Sequence, residues 1–444
     1  MANSTLTLED IQAAAKRIAG ATINTRFEKS VTLSGIAGCD IYNKFENLQF
    51  TASFKDRGAL NKLLLLQEGG LATGVVAVSA GNHAKAVAYH AQRLNIPATI
   101  VMPVNTPNVK VEDTKSMGAR VVLHGNVIDE AAVHAHELVE KEQLVLVHPF
   151  DDLDIMAGQG TMALEMLEQE PDLDAIVVPI GGGGLIAGIA TAAKALNPAI
   201  KIYGVEVEAY PSAYKALRKQ GYLANSAAAD KQKLSKASKP KSNSKPGVDV
   251  GESALPSHHR TGVATIAEGI AVKQPGKRTL EVMQGLVDDI FIVNESGLEE
   301  AIYLYLSIEK TVSEGAGAAA LAAVLDNKEK FRGLKTALIL CGANIDSRIL
   351  ASVLMRRLVK HGRIVQFLVE IDDSPGRLSE ISTAVGEFGG NILDVSHQRM
   401  FASLPVKCAE LCMTVETRDA SQTQDILARL KELGYKARVN DFQA

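Results

Sequence analysis

The 444-residue chain has no tryptophan, and its aromatic residues make up only 5% of the total. A core must therefore be built from aliphatic side chains, which a 46% hydrophobic content supplies. Cysteine is scarce as well. Cys39, Cys341, Cys408 and Cys412 form no disulfide framework, no grouping with histidine suggests zinc, and the Cys408/Cys412 spacing is wrong for a CxxC motif. No apolar run is long enough to span a bilayer, and the first residues lack a signal-peptide core. The net charge of −4 gives no reason to expect nucleic acid or an anionic membrane as partner. The expectation left is a reduced, cytoplasmic, soluble protein of two or three domains.

What is present has a clear rhythm. An amphipathic helix from Leu8 (Ile11, Ala14, Ala15, Ile18) is followed by short strands expected at Ser30–Leu33 and Asp40–Lys44. From Val75 onward, apolar runs of strand length alternate with helical patterns: Val75–Val78, Ala98–Met102, Arg120–Leu123, Leu144–Val147, Ala175–Ile180 and Ile202–Val205 are the expected strands. That alternation predicts an α/β fold whose parallel sheets are covered by helices on both faces. Residues 224–246, rich in Lys and Ser, bury nothing and are read as a flexible insertion. After a helix at Asp346–His361 the order becomes βαββαβ, the ferredoxin-like arrangement. The expected division is therefore 1–361 and 362–444.

Three stretches carry chemistry. In Ser53-Phe54-Lys55-Asp56-Arg57-Gly58, Lys55 sits where a helix begins, near the positive end of the macrodipole. Cationic surroundings lower an ammonium pKa, and the free amine attacks carbonyls. Ser79-Ala80-Gly81-Asn82-His83 joins a strand to a helix, so its N–H groups can receive a carboxylate. Gly181-Gly182-Gly183-Gly184-Leu185 likewise lies between a strand and a helix, and suits a single phosphate. It lacks the Lys-Ser/Thr ending of a Walker loop and is no clean GxGxxG, although Glu206 keeps a dinucleotide reading open. An amine, a phosphate cradle and a carboxylate cradle together describe pyridoxal phosphate with an amino-acid substrate.

With Ala157-Gly158-Gln159-Gly160-Thr161, Glu314-Gly315-Ala316-Gly317 and Cys341-Gly342-Ala343-Asn344 in the same order, residues 5–355 resemble the fold-type II pyridoxal-phosphate family, in its threonine/serine dehydratase branch. The fold implied is tryptophan-synthase-β-like. The tail from Ile364 to Val439, with Asp373-Ser374-Pro375-Gly376-Arg377-Leu378 and Gly390-Asn391-Ile392, resembles an ACT domain. The resemblance implies that Lys55 bonds covalently to the cofactor aldehyde and, once freed, takes the α-proton of threonine. It implies that Phe54 lies beside the ring, Asn82 bonds the ring hydroxyl, Gly181, Gly182, Gly183, Gly184 and Leu185 take the phosphate, and Cys341 faces the pyridine nitrogen. Ser79, Ala80, Gly81 and His83 would line the substrate carboxylate, and Glu206 matches a position for a monovalent or divalent cation. Ala80 stands where serine racemases tend to carry a serine base. The products implied are 2-oxobutanoate and ammonia from L-threonine, and pyruvate from L-serine. Asp373, Pro375, Gly376, Leu378 and Asn391 would meet a branched-chain amino-acid effector, and a homo-oligomer is expected. The alternatives are a serine racemase or hydroxyaspartate dehydratase of the same fold, and a non-catalytic amino-acid sensor.

Overall fold

The computed structural model describes residues 5–70, 73–223, 264–372, 374–398 and 408–440; the expected insertion at 224–246 and Asp373 lie outside them. The described residues divide into two compact units, 1–345 and 346–444. The border therefore precedes the helix Ser347–Lys360, expected from the sequence to end the first unit; it packs on the first strand of the second.

Two sheets make up the first unit. A six-stranded sheet runs β1 (Phe27–Ser30), β2 (Asp40–Lys44), β10 (Lys335–Ile339), β7 (Ala175–Pro179), β8 (Lys201–Val207), β9 (Asp289–Val293), and all its pairings but β1/β2 are parallel. A four-stranded parallel sheet runs β5 (Arg120–Leu123), β4 (Ala98–Met102), β3 (Val75–Val78), β6 (Val145–Leu146). Strands such as β4 and β7 are buried at every residue, as sheets covered on both faces require. One expected element is corrected. Ser30–Leu33 is not a strand: β1 ends at Ser30, whose hydroxyl accepts from Leu33 N and starts the helix Val31–Ala37. A local N-cap here outweighs the β preference of Val31-Thr32.

Close helix packing explains another motif. A Cβ on Gly158 would lie 2.6 Å from Gly58 Cα, and one on Gly160 would lie 2.7 Å from Gly188 O. The helices Lys55–Glu68, Leu153–Gln169 and Gly184–Leu196 thus touch backbone to backbone. Ala157–Thr161 is a packing motif that seats the helix bearing Lys55.

The second unit is an antiparallel sheet ordered β12 (Asn391–Gln398), β13 (Cys408–Glu416), β11 (Ile364–Asp372), β14 (Lys436–Val439), with the helices Arg377–Glu387 and Ala420–Glu432. Phe367, Val369, Leu411, Met413, Ile381 and Ile426 form its core. The expected βαββαβ order is present.

Candidate active site

In open parallel sheets, loops beyond the carboxyl ends of strands converge on ligands. Here the converging segments are Ser79–Gly81 after β3, the strap Val147–Asp151 after β6, Gly181–Gly183 after β7, and Leu340–Asn344 after β10.

Lys55 opens the helix Lys55–Glu68 and is half-buried. Its Nζ donates to Pro149 O at 2.7 Å and lies 5.0 Å from the Phe54 ring centroid. Its pKa is lowered to about 8. Burial is the cause, not the cationic surroundings expected from the sequence; Cys341 and Glu314 nearby pull the other way. The chain just before Lys55 is pinned to the end of β10, since Phe54 N donates to Cys341 O at 3.0 Å and Ser53 bridges to Gly342.

The same strap meets two further segments expected at the site. Val147 O pairs with His83 Nε2 at 2.9 Å, and Phe150 lies on the glycine loop, 2.2 Å from where a Gly182 Cβ would sit. No side chain fits at Gly181, Gly182, Gly183 or Gly184 without displacing a neighbour, and Gly183 adopts φ +97°. Leu185 follows, buried, in the helix Gly184–Leu196. Thr279 Oγ1 donates to Gly182 O at 2.7 Å, while Asp151 accepts from the N–H groups of Lys277 and Thr279. The loop is thus fixed with a helix start behind it, a fit for a phosphate.

His83 meets the site through its backbone, not its ring. A carbonyl only accepts, so Nε2 carries the proton toward Val147 and Nδ1 is left without one. Burial, with Lys55 nearby, lowers the ring's pKa to about 3, so it is neutral. Its side chain therefore has no N–H to offer a carboxylate. The backbone does: the first intrahelical bond of Asn82–Arg93 runs from Lys85 N to Gly81 O, which leaves the N–H groups of Asn82, His83 and Ala84 ahead of it. Ser79 Oγ accepts from Gly81 N at 3.2 Å, keeping its own hydroxyl hydrogen to donate.

Cys341 is buried, and burial followed by the nearby Glu314 raises its thiol pKa well above the ordinary value, so it stays S–H. Asn82 Nδ2 donates to Glu314 Oε1 at 2.8 Å. Ala80 is half-buried and packs on the core of the smaller sheet. Glu206 is committed to a helix start. Its carboxylate, raised to about 7 by burial, accepts from Ala213 N and Tyr214 N at 2.8 Å and caps the helix Ser212–Lys219. Among the described residues no three His, Cys, Asp or Glu gather as metal donors.

Sequence reasoning missed the strap and the buried ion cluster under Lys55. No motif marks Val147–Asp151; only its place after a parallel strand could have flagged it. Arg57 is fully buried, forked on Glu46 at 2.8 Å and on Glu165, while Lys44 pairs with Glu165 at 2.5 Å. In the second unit Gly376 (φ +96°) begins the helix Arg377–Glu387 with open space where a Cβ would be. Pro375 and Leu378 are exposed, and Asn391 Nδ2 reaches Glu416 at 3.3 Å.

The chain is similar to known proteins. Residues 18–342 match the family described as "Pyridoxal-phosphate dependent enzyme", and residues 365–435 match the ACT domain. The L-threonine ammonia-lyase of Thermotoga maritima is 40% identical over 434 residues, 98% of this chain and 99% of that one. The solved threonine deaminase isoform 2 of Solanum lycopersicum, in its processed form, is 34% identical with a TM-score of 0.65, covering 78% of this chain and 86% of that one. Maize serine racemase is 32% identical with a TM-score of 0.66, covering 81% and 99%.

Proposed function

The chain belongs to the pyridoxal-phosphate-dependent enzymes and carries a C-terminal ACT domain, and from that premise we propose a threonine ammonia-lyase that turns L-threonine into 2-oxobutanoate and ammonia. L-Serine is the second substrate, yielding pyruvate. The observation that carries this reading is the strap: Lys55 Nζ and the glycine loop both rest on Val147–Asp151.

The residues fit the cofactor. A half-buried amine of lowered pKa, a glycine loop with no room for side chains and a neutral thiol are what its aldehyde, phosphate and ring nitrogen call for. Bound pyridoxal phosphate supplies the aldehyde that takes up the substrate amine and a conjugated ring that withdraws electrons from Cα. Gly181–Gly184 hold its phosphate, Asn82 its ring hydroxyl and Cys341 its ring nitrogen, with Phe54 beside the ring. Ser79 and the N–H groups opening the Asn82 helix hold the substrate carboxylate. That contact orients Cα toward Lys55, whose neutral amine takes the proton from Cα; the ammonium so formed can pass a proton to the β-hydroxyl, which leaves as water. Burial keeps that amine neutral in a useful fraction near pH 8.

The unit 1–345 is the catalytic domain and 346–444 the regulatory one, with a branched-chain amino acid as effector at Pro375, Gly376, Leu378 and Asn391. The enzyme works in the cytoplasm as a homo-oligomer.

The test is release of keto acid from L-threonine by the purified holoenzyme. Lys55→Ala is expected to lower kcat by at least about 1000-fold, the scale of a lost general base. Borohydride reduction should fix the cofactor on the Lys55 peptide. Full turnover in the variant, or a reduced protein unmodified at that peptide, overturns the reading.

A further inference from the structure

The polar side chains behind Asn82 form a chain whose direction is set at its ends. Lys85 Nζ can only donate, and it donates to Asn344 Oδ1 at 3.3 Å. Thr51 O can only accept, and Asn344 Nδ2 reaches it at 2.9 Å. Asn344 is thereby held with its oxygen toward Lys85 and its nitrogen toward Thr51. The same Nδ2 donates to Asn82 Oδ1 at 2.7 Å. With its oxygen turned that way, Asn82 points Nδ2 at Glu314 Oε1, 2.8 Å away. Every link runs from the ammonium of Lys85, itself paired with Asp113 at 2.9 Å, to the carboxyl group of Glu314. Gly342 closes the far end, since a Cβ there would lie 2.4 Å from Glu314 Oε1 and 3.2 Å from Asn82 Nδ2.

We propose that Lys85, Asn344 and Glu314 are positioning residues that lock the Asn82 amide against flipping and fix the one N–H it has left for the cofactor's ring hydroxyl. The inference rests on the assignment of Asn82 to that hydroxyl made above. A free amide could present either its oxygen or its nitrogen; this one has both ends committed by partners of fixed polarity. Glu314 is also the group through which the lock responds to pH. Burial raises its carboxyl to about 7, and the groups acting on it are the Asn82 amide, Glu268, Lys110, Lys55 and Cys341. Above that value it is an ionised acceptor; below it, a neutral and weaker one.

The test compares holoenzyme carrying Lys85→Met, Asn344→Asp, Glu314→Gln or Asn82→Ala. Visible circular dichroism reports the fixed orientation of the bound cofactor, fluorescence titration reports its dissociation constant, and absorbance is followed from pH 6 to 8. Asn344→Asp removes both donations, and Lys85→Met frees Asn344 to turn. Each is expected to weaken the dichroic band and to raise the dissociation constant about five- to tenfold, the scale of one lost hydrogen bond. Borohydride should still fix the cofactor on Lys55 in all of them. Glu314→Gln should erase the absorbance change near pH 7. Lys85 is half-buried and its change to Met leaves the core untouched, so that arm folds even if the Glu314 variant does not. The proposal falls if the Lys85 and Asn344 variants keep the parent's dichroism and cofactor affinity while Asn82→Ala loses both. If Asn82→Ala is silent as well, the assignment of Asn82 falls, and the proposal with it, while trapping on Lys55 still upholds the lyase.

Discussion

At the scale of single residues, the amine of Lys55 is governed by loss of water. A lysine in water is protonated to beyond pH 10; this one loses its proton near 8 because burial penalises the ammonium. The sign follows directly. Below 8 the amine is mostly charged and cannot attack an aldehyde; above 8 it is mostly free. Attachment of pyridoxal phosphate to the stripped protein should therefore quicken roughly eightfold from pH 7 to 8.5 and then level off. Stopped-flow absorbance checks this, and a rate still climbing beyond pH 9.5 would show an ordinary lysine. Ala80 sets a second limit. Its methyl group has no proton to give, so the side chain at this position cannot act as the second base that racemisation needs. L-Serine should yield pyruvate at least about 100-fold faster than D-serine, the lower bound for a missing acid–base group. Chiral chromatography of the products decides, and comparable rates would favour the racemase reading.

At the scale of elements, the helix bearing Lys55 is anchored by buried charge. Arg57 lies in its first turn with both Glu46 and Glu165 on its guanidinium. Burial raises Glu46's pKa, but Arg57 outweighs that and the net shift is downward. Arg57→Met leaves the buried Glu46 carboxylate without its ion-pair partner and should cost about 3–5 kcal/mol of stability. A carboxyl whose folded pKa is depressed contributes stability above its unfolded pKa and loses it as pH falls through the folded value. The gap between parent and variant should thus be wide at pH 7.5 and shrink as pH falls below 4.5, as read by urea unfolding. This cluster also shows why the sequence is legible only in part. Glycine loops, strand runs and the βαββαβ order are local patterns, and Val75–Val78, Ala98–Met102 and Arg120–Leu123 lie where the sequence places them. Glu46, Glu165 and Arg57 come from separate segments, so their meeting follows from packing alone. Ser30–Leu33 misleads because one capping hydroxyl decides against the side-chain pattern, and His83 because its partner, Val147 O, belongs to a distant strap.

At the scale of the whole molecule, the ACT domain is where the proposed effector would bind, and an effector there matters only if it binds two states of the enzyme unequally. Gly376 leaves open space at the start of the helix Arg377–Glu387, whose first N–H groups suit a carboxylate, and exposed Leu378 offers apolar contact beside it. Those features suit an amino acid with an aliphatic side chain, so isoleucine or valine should shift the apparent KM for L-threonine by about 5- to 150-fold at saturation, the usual range of coupling. Because Gly376 holds φ +96°, Gly376→Val strains the loop and fills the open space. In that variant the ratio of KM with isoleucine to KM without it should approach one. Keto-acid release measured across an isoleucine series, with calorimetry on the same samples, checks both statements. Binding heat without any kinetic change would mean an effector that does not distinguish the two states. Neither heat nor kinetic change would leave the domain a structural one.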